Sequence, residues 1–486
     1  MGKTLWRDHL EPNQGKGLAM ADNPPVSAYP QRQVSPLEWQ RFLTAKGGLD
    51  QGEIFSEIIP LRQMDSLLVL QALERKLLVP LNHFYWENRA EKRAILSLGT
   101  LRELVLHGAN RFAIAQKFIE DQQRKIRKVC QVYGYPSLDI PYFCCGFTFF
   151  PEQQRHAPFP AGHVVIPRVQ LVRQDQRYFL VLNGDRQHRN HLPRLAQQIV
   201  TFLEHLPQQL TPTRGIHQTV CAGSSGFIEG VTEALRLIDQ QKLSKVVLAH
   251  ALDVTASQAL DVVNALENLR DRHPDCCVFS LRNRQGDSFI GASPERLLAI
   301  HQGELRTDAL AGSAPRGKSP QEDQTFAENL LHSEKEQREH QAVANFLMEQ
   351  LTDIGLTPQV AERTLLKLSN IQHLWTPISA KLAPHIHPLE IVAKLHPTPA
   401  VAGVPRAIAC DHIRQSESFD RNLYAAPIGW LDAQGNAEFI VAIRSALIRG
   451  NHARLYGGAG IVAGSQPERE YAEVQLKLTS LLDALT

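Results

Sequence analysis

The sequence predicts an α/β protein of the α+β type, built from mixed, mainly antiparallel sheets with helices outside them. Three observations lead there. Short β-prone runs gather in groups separated by turns, helical stretches fall between the groups, and the regular strand–helix rhythm of a doubly wound fold is missing. Nothing repeats, and no low-complexity linker divides the chain.

In order, residues 1–34 are rich in Pro, Gly and Gln and read as a loose arm. A variable part follows over 35–206. Up to about Lys128 its apolar residues recur at helical and mixed spacings, and FAIAQKFIEDQQRKI at 112–126 is the clearest helix. YFCCGFTFF, HVVIPRVQLV and RYFLVLN then predict a sheet of several antiparallel strands ending near Asn183. Helical patterning returns over 191–206. The third part, 207–486, opens with a polar linker over 207–224 and a helix marked by Phe227, Val231, Ala234, Leu235 and Ile238. It continues with the strand runs KVVLAHAL, CCVFSLR, SFIGASPERLLAI and ELRTDALAG. A helical stretch over 320–352 and a shorter one near 358–368 come next. EFIVAIRSALIRG and HARLYGGAGIVAG are joined by Gly450-Asn451, a tight hairpin turn, and a helix from about Pro467 to Leu485 closes the chain.

Composition narrows the partners. Lys plus Arg number 52 and Asp plus Glu 50, a formal net charge of +2 that gives no reason to expect nucleic acid or an anionic membrane. The 20 histidines are scattered, with no HExxH and no Cys/His cluster, so no zinc site is read. No uncharged apolar run reaches the length of about 18 residues that a membrane span needs. The cysteines (Cys130, Cys144, Cys145, Cys221, Cys276, Cys277 and Cys410) are odd in number, and the first residues show no apolar signal core. Free thiols in a reducing compartment, the cytoplasm, are expected.

Two charges stand at the edges of otherwise buried strands: Lys245, which opens KVVLAH, and Glu295, which closes GASPE. A base and an acid on rigid strands suit proton transfer; a solvated edge charge accounts for Lys245 equally well. Both acidic helices begin at cap signals. Ser319-Pro320-Gln321-Glu322 has Ser at N-cap, Pro at N1 and Glu at N3, and Ser465-Gln466-Pro467-Glu468 repeats the spacing. Farther along, Glu339 shares a face with Val343 and Phe346, while Glu470, Glu473 and Lys477 precede Leu481 and Leu485 on another. Carboxylates on apolar stripes need a cation, a proton or a donor. Glu339 and Glu473 converging from two helices would suit Mg²⁺, with Glu336 and Glu470 one turn away orienting the ligands. Two solvated faces, with Glu473 and Lys477 as an exposed ion pair, explain the same spacing.

The run Gly457-Gly458-Ala459-Gly460 lacks the GK[ST] of a P-loop and the context of a dinucleotide fingerprint. Its backbone N–H groups would approach a carboxylate, with Arg444 and Lys477 as partners, and a tight turn would account for it too. Ser313 and the His396-Pro397-Thr398-Pro399 segment are pocket candidates, or packing and loop residues.

Taken together, KVVLAH (245–250), GASPERLL (291–298), LAGSAPRG (310–317), SEKEQREH (333–340), LHPTPAVAG (395–403), VAIRSA (441–446) and GGAGIVAGSQPEREYAEVQLK (457–477) resemble the chorismate-utilising enzymes, most specifically the isochorismate synthases. The resemblance covers about 210–486, and 144–183 more loosely. It implies two large packed, mainly antiparallel sheets with outer helices, and the site in the C-terminal part. It also implies Lys245 as general base, Glu295 as general acid, and Glu339 and Glu473 as Mg²⁺ ligands. Arg444, Lys477 and the backbone near Gly458, Ala459 and Gly460 would bind substrate carboxylate, with Tyr456 at the border. His250 departs from the pattern, since related sequences commonly carry Arg there.

The implied reaction is the reversible conversion of chorismate to isochorismate: water attacks C2, the double bonds shift, and the C4 hydroxyl leaves. Lys245 must then be neutral in the active complex. Salicylate synthase, which adds pyruvate elimination, and the ammonia-using anthranilate or aminodeoxychorismate synthases are the rivals. Anthranilate synthases characteristically have Gln at the Lys245 position, and Ala314 replaces a pattern frequent in amination enzymes. An enzyme without an amidotransferase is therefore expected, and the family implies a monomer. Its product could feed menaquinone or phylloquinone, a catecholate siderophore or salicylate, and the long N-terminal part without a fused partner favours the quinones. A silent regulatory subunit is the non-enzymatic alternative.

Overall fold

In this computed structural model, residues 38–47, 52–77, 81–128, 141–152, 157–207, 209–211, 219–223, 226–368 and 371–485 are described. The expected arm over 1–34 lies outside them.

Among the described residues the strands form one sheet of 13 and one of 10. Every pairing is antiparallel except that of Ile54–Leu61 with Ile126–Lys128. In the larger sheet Lys245–Ala256 pairs along its length with His452–Val462. The sheet then continues through Ser445–Arg449, Ser288–Ser293 and Cys277–Arg282 to His83–Asn88. In the smaller sheet, Ile371–Lys381, Glu304–Pro315, Arg296–His301, Ala437–Val441, Pro427–Leu431 and Phe143–Phe147 lie side by side. Apolar residues from both sheets form one core, and the central strands Ser288–Ser293, Pro427–Leu431 and Ala437–Val441 are buried on both faces. Polar contacts cross the layer as well: Cys144 Sγ lies 3.2 Å from Ser97 Oγ, and Asn88 donates to Glu438 at 3.0 Å. Helices Phe227–Asp239 and Pro467–Leu485 cover the larger sheet, and Glu334–Asp353 covers the Glu304–Pro315 strand of the smaller.

Several expected elements are redrawn. The strands expected as one sheet ending near Asn183 divide between two. Phe143–Phe147 and Gly162–Ile166 join the smaller sheet, while Val169–Gln174 and Arg177–Gly184 join the larger. The chain changes layer at Pro167-Arg168, where proline supplies no ladder N–H and Asn183 holds both carbonyls. The helix expected near 358–368 is absent. Gln359–Val360 and Thr364–Lys367 instead pair with Ile371–Lys381, long-range pairing overriding a weak local pattern. The polar linker contains an edge strand, Thr219–Gly223, on Lys245–Ala256.

The 320–352 stretch is two helices. Ser333 ends Pro320–His332 and caps Glu334–Asp353, its hydroxyl accepting the Glu336 N–H at 3.4 Å. Ser319 does cap the first of them, accepting the Glu322 N–H at 3.2 Å. Ser465 forms no such box. Its hydroxyl accepts the Val462 N–H at 3.2 Å. The Gly450-Asn451 hairpin is present, with Gly450 at φ +59°.

Two runs that read as continuous strands switch sheets in mid-course. Ser288–Ser293 belongs to the larger sheet and Arg296–His301 to the smaller, with Pro294-Glu295 between. Ala437–Val441 and Ser445–Arg449 make the reverse passage across Ile443-Arg444, and Arg444 takes φ +49°. The crossovers are tied together: Val441 N–H donates to Glu295 O at 3.0 Å, and Ala292 N–H to Arg444 O at 3.2 Å.

Candidate active site

Beside these crossovers lies a cavity of about 220 Å³. Lys245, Glu295, Ser313, Glu336, Glu339, Arg444, Tyr456, Gly458, Gly460, Glu470, Glu473 and Lys477 all line it. Lys245 begins its strand and points inward, its side chain only 4% exposed, with Nζ 2.6 Å from Glu339 Oε1. It is not a solvated edge charge. Glu295 is held by its crossover, which donates its N–H to Ser293 Oγ at 3.2 Å. Burial pushes the Glu295 carboxyl up to about 7, against the pull of Lys245 and Arg444. Near neutrality it is therefore poised to carry a proton.

The four helix carboxylates face the same space. Burial tends to raise Glu339, but the charge and hydrogen bond of Lys245, with Lys335 and Lys477 beyond, hold it below the ordinary range. Glu336 is raised by burial and then by Glu339, with Glu473 adding to it; its Oε2 accepts the Ser313 N–H at 3.2 Å. Glu470 is raised by burial and by Glu473. The Glu473–Lys477 ion pair expected of a solvated helix face does form, at 2.8 Å, with both residues on the cavity wall. Lys477 also donates to Gly458 O at 2.9 Å.

Glycine at 458 and 460 permits this closeness. A Cβ on Gly460 would lie 3.2 Å from Glu339 Oε1 and 3.3 Å from Lys245 Cε, and one on Gly458 would lie 2.8 Å from the Tyr424 hydroxyl.

A family model described as chorismate binding enzyme matches residues 41–486. The chain belongs to the chorismate binding enzyme family. Among its relatives is the salicylate biosynthesis isochorismate synthase of Pseudomonas aeruginosa, 35% identical over 415 residues, 83% of this chain and 84% of that protein. The isochorismate synthase MenF of Bacillus subtilis is 31% identical over 418 residues, 83% and 88% of the two chains. Among solved structures, the menaquinone-specific isochorismate synthase MenF of Escherichia coli superposes with a TM-score of 0.73 at 28% identity, covering 91% of this chain and 96% of that one. Component I of anthranilate synthase from Streptococcus pneumoniae, 19% identical with a TM-score of 0.67 over 80% of this chain and 92% of that one, shares the fold.

In this chorismate binding enzyme three candidates stand off the cavity. His396 is buried with Nε2 3.0 Å from Phe149 O, its ring against Phe149 and Phe112. Thr398 is buried too, and its carbonyl accepts the N–H groups of Val401 and Ala402, shaping the turn that carries Ala400 and Val401 to the wall. Ala459 is buried on the alternate face of its strand from its glycine neighbours. His250 lies five residues beyond Lys245, so the pleat turns it to the opposite face, edge-on to Phe227 and Tyr471.

Sequence reasoning missed Lys335, His373 and Tyr424 on the wall. Lys335 stands in the quoted SEKEQREH run, so attention to its cation would have found it. His373 is an alternating strand position, 2.9 Å through Nδ1 from Ser313 Oγ, and held neutral: burial, then Arg444 and Lys477, push it down to about 3. Tyr424 stacks on Tyr456 at 5.1 Å with 14° between ring planes, a contact between distant segments.

The oxygen-rich set of Glu336, Glu339, Glu470 and Glu473 suits a hard divalent cation. Among the described residues, though, no three His, Cys, Asp or Glu side chains are gathered at metal-binding distances. Two of the four carboxylates are instead neutralised by Lys245 and Lys477.

Proposed function

We propose that this enzyme is an isochorismate synthase, an isomerase that interconverts chorismate and isochorismate. The observation that carries the reading is the pairing, on one small cavity, of the Lys245 amine with a Glu295 carboxyl whose pKa is about 7. The relatives named isochorismate synthase over 83% of the chain support it.

Arg444 and Lys477, with the Gly458–Gly460 backbone, hold the substrate carboxylates. Lys245, neutral in the active complex, takes a proton from the water attacking C2. The ring double bonds shift, and Glu295 gives its proton to the hydroxyl departing from C4, which leaves as water. General acid and base groups each contribute about 10²–10⁴-fold. Glu339 and Glu473, with Glu336 and Glu470 beside them, would hold Mg²⁺, which when bound compensates the charge of a substrate carboxylate.

Lysine at 245 favours water over ammonia, so the enzyme acts without an amidotransferase, and we take it to be a monomer. Among the described residues no helix is long and apolar enough to cross a membrane. The thiols of Cys144, Cys145, Cys276, Cys277 and Cys410 are free and fit the cytoplasm. The likeness to menaquinone-specific MenF supports a place in quinone synthesis.

Purified protein incubated with chorismate and MgCl₂ should yield isochorismate alone by chromatography. Salicylate with pyruvate, or an aminated product when ammonium is added, would replace this reading with one of its rivals. Chorismate binding without turnover would make the protein a silent subunit.

A further inference from the structure

The strand that carries Lys245 is held along one edge by several partners. Against that edge Gly403–Val404 pairs with Lys245 and Val246, and Thr219–Gly223 pairs with Leu252 to Ala256. Between these partners the Val247 N–H donates to Ala402 O at 2.7 Å. The buried Val247 carbonyl and Ala249 N–H on the same strand need partners as well.

Two side chains supply them. Glu417 Oε1 accepts the Ala249 N–H at 2.8 Å, and Arg421 Nη2 donates to Val247 O at 2.8 Å. The two are paired with each other, Arg421 Nε lying 2.8 Å from Glu417 Oε2, and their side chains are 1% and 4% exposed. Arg421 Nη1 donates in turn to Val401 O, on the cavity wall, at 2.8 Å. Its guanidinium lies over the ring of Phe149 at 4.5 Å and faces that of Tyr424, another wall residue, at 5.7 Å.

We infer that Glu417 and Arg421 are positioning residues for the reaction, a buried ionic clamp that fixes the Lys245 strand against the Val401 and Tyr424 walls. Lys245 lies two and four residues from the clamped groups, and a displacement of about 1 Å at a reacting group can cost up to about 10²-fold in rate. The inference rests on the reading of Lys245 as base. Neither clamp residue lines the cavity, so loosening the clamp should misplace the base without removing a substrate contact.

Three variants and one control test this. In E417A and R421K, kcat should fall roughly tenfold or more while KM for chorismate stays within about twofold. R421K keeps the charge but cannot reach both carbonyls as a fork. Deuterium exchange should rise in a peptide spanning 245–256 but not in one spanning 296–315. The control L70A, a cavity at the buried Leu70 of the Ser66–Lys76 helix, which does not line the site, with a comparable loss of melting temperature, should keep its kcat. Folded E417A or R421K with wild-type kcat, or with kcat lowered only as far as in L70A, overturns the inference, as does unchanged exchange over 245–256. K245A separates the two readings. If it retains full turnover the base assignment fails, while faster exchange over 245–256 in E417A would still show the clamp at work on its strand.

Discussion

Glu295 shows how one side chain is tuned by where the backbone leaves it. Below pH of about 4.5 its carboxyl is protonated in the folded and unfolded chains alike. As pH rises toward 7 the unfolded chain sheds that proton first, so folded stability falls, and above 7 the full cost is present. From the ordinary 4.5 to about 7 this amounts to about 3 kcal/mol. E295Q, which cannot ionise, should therefore melt higher than the parent at pH 8, with the difference shrinking toward pH 5 in calorimetric scans. The same variant should lose about 10²-fold or more in kcat, because an amide gives no proton to a departing hydroxyl. In the parent, kcat/KM should decline on the alkaline side through a pKa near 7; a flat profile to pH 9 would contradict Glu295 as the acid. At Lys245 the geometry couples two tasks, since its ammonium occupies an oxygen that a cation would use. K245M should thus lose turnover by about 10²–10⁴-fold. It should also bind Mn²⁺ more tightly, by about tenfold, because a like charge within about 4 Å costs at least 1 kcal/mol. Calorimetric titration reads the second effect without any turnover.

Among the elements, the helix that bears Glu336 and Glu339 depends on its own start. Ser333 caps it, and Ser-x-x-Glu at 333–336 was as legible as the cap at Ser319, yet the charged run around it read as the middle of one long helix. S333A should cost about 1 kcal/mol in urea unfolding. Glu336 would then lose the register that lets its carboxylate accept from Ser313, and kcat should fall with stability. The glycine strand is as exacting. G460A puts a methyl within 3.4 Å of both Glu339 and Lys245 and should lower kcat sharply with a nearly unchanged melting temperature. The crossovers show why Glu295 and Arg444 face one cavity: each sits where a strand leaves one sheet for the other, and hydrogen bonds join the two passages. Apolar alternation marks a strand without saying which sheet receives it, so both runs looked unbroken.

At the scale of the whole molecule, pairings run across the boundary drawn at 206/207. His83–Asn88 lies against Cys277–Arg282, and Phe143–Phe147 against Pro427–Leu431. A chain of residues 207–486 alone would expose both edges and their apolar faces. It should be insoluble, or lack a cooperative melt by circular dichroism, whereas a soluble, cooperatively folding fragment would show that the earlier residues are accessory. The long periodic helices, the hairpin at Gly450-Asn451 and the β-rich runs were legible because each is specified by neighbours in sequence. So were most charges of the cavity wall, since Lys245, Glu295 and the helix carboxylates stood out as charges in apolar company. The sequence by itself determined which residues could do acid–base and cation chemistry, and that antiparallel sheets would carry them. Only the tertiary structure decided that His396, Thr398 and Ala459 pack away from the cavity, that Lys335, His373 and Tyr424 complete it, and that Glu417 and Arg421 brace the strand behind it. Local pattern sets how a segment folds; which surfaces meet depends on long-range contacts whose partners, like Ala249 and Glu417, lie far apart in the chain.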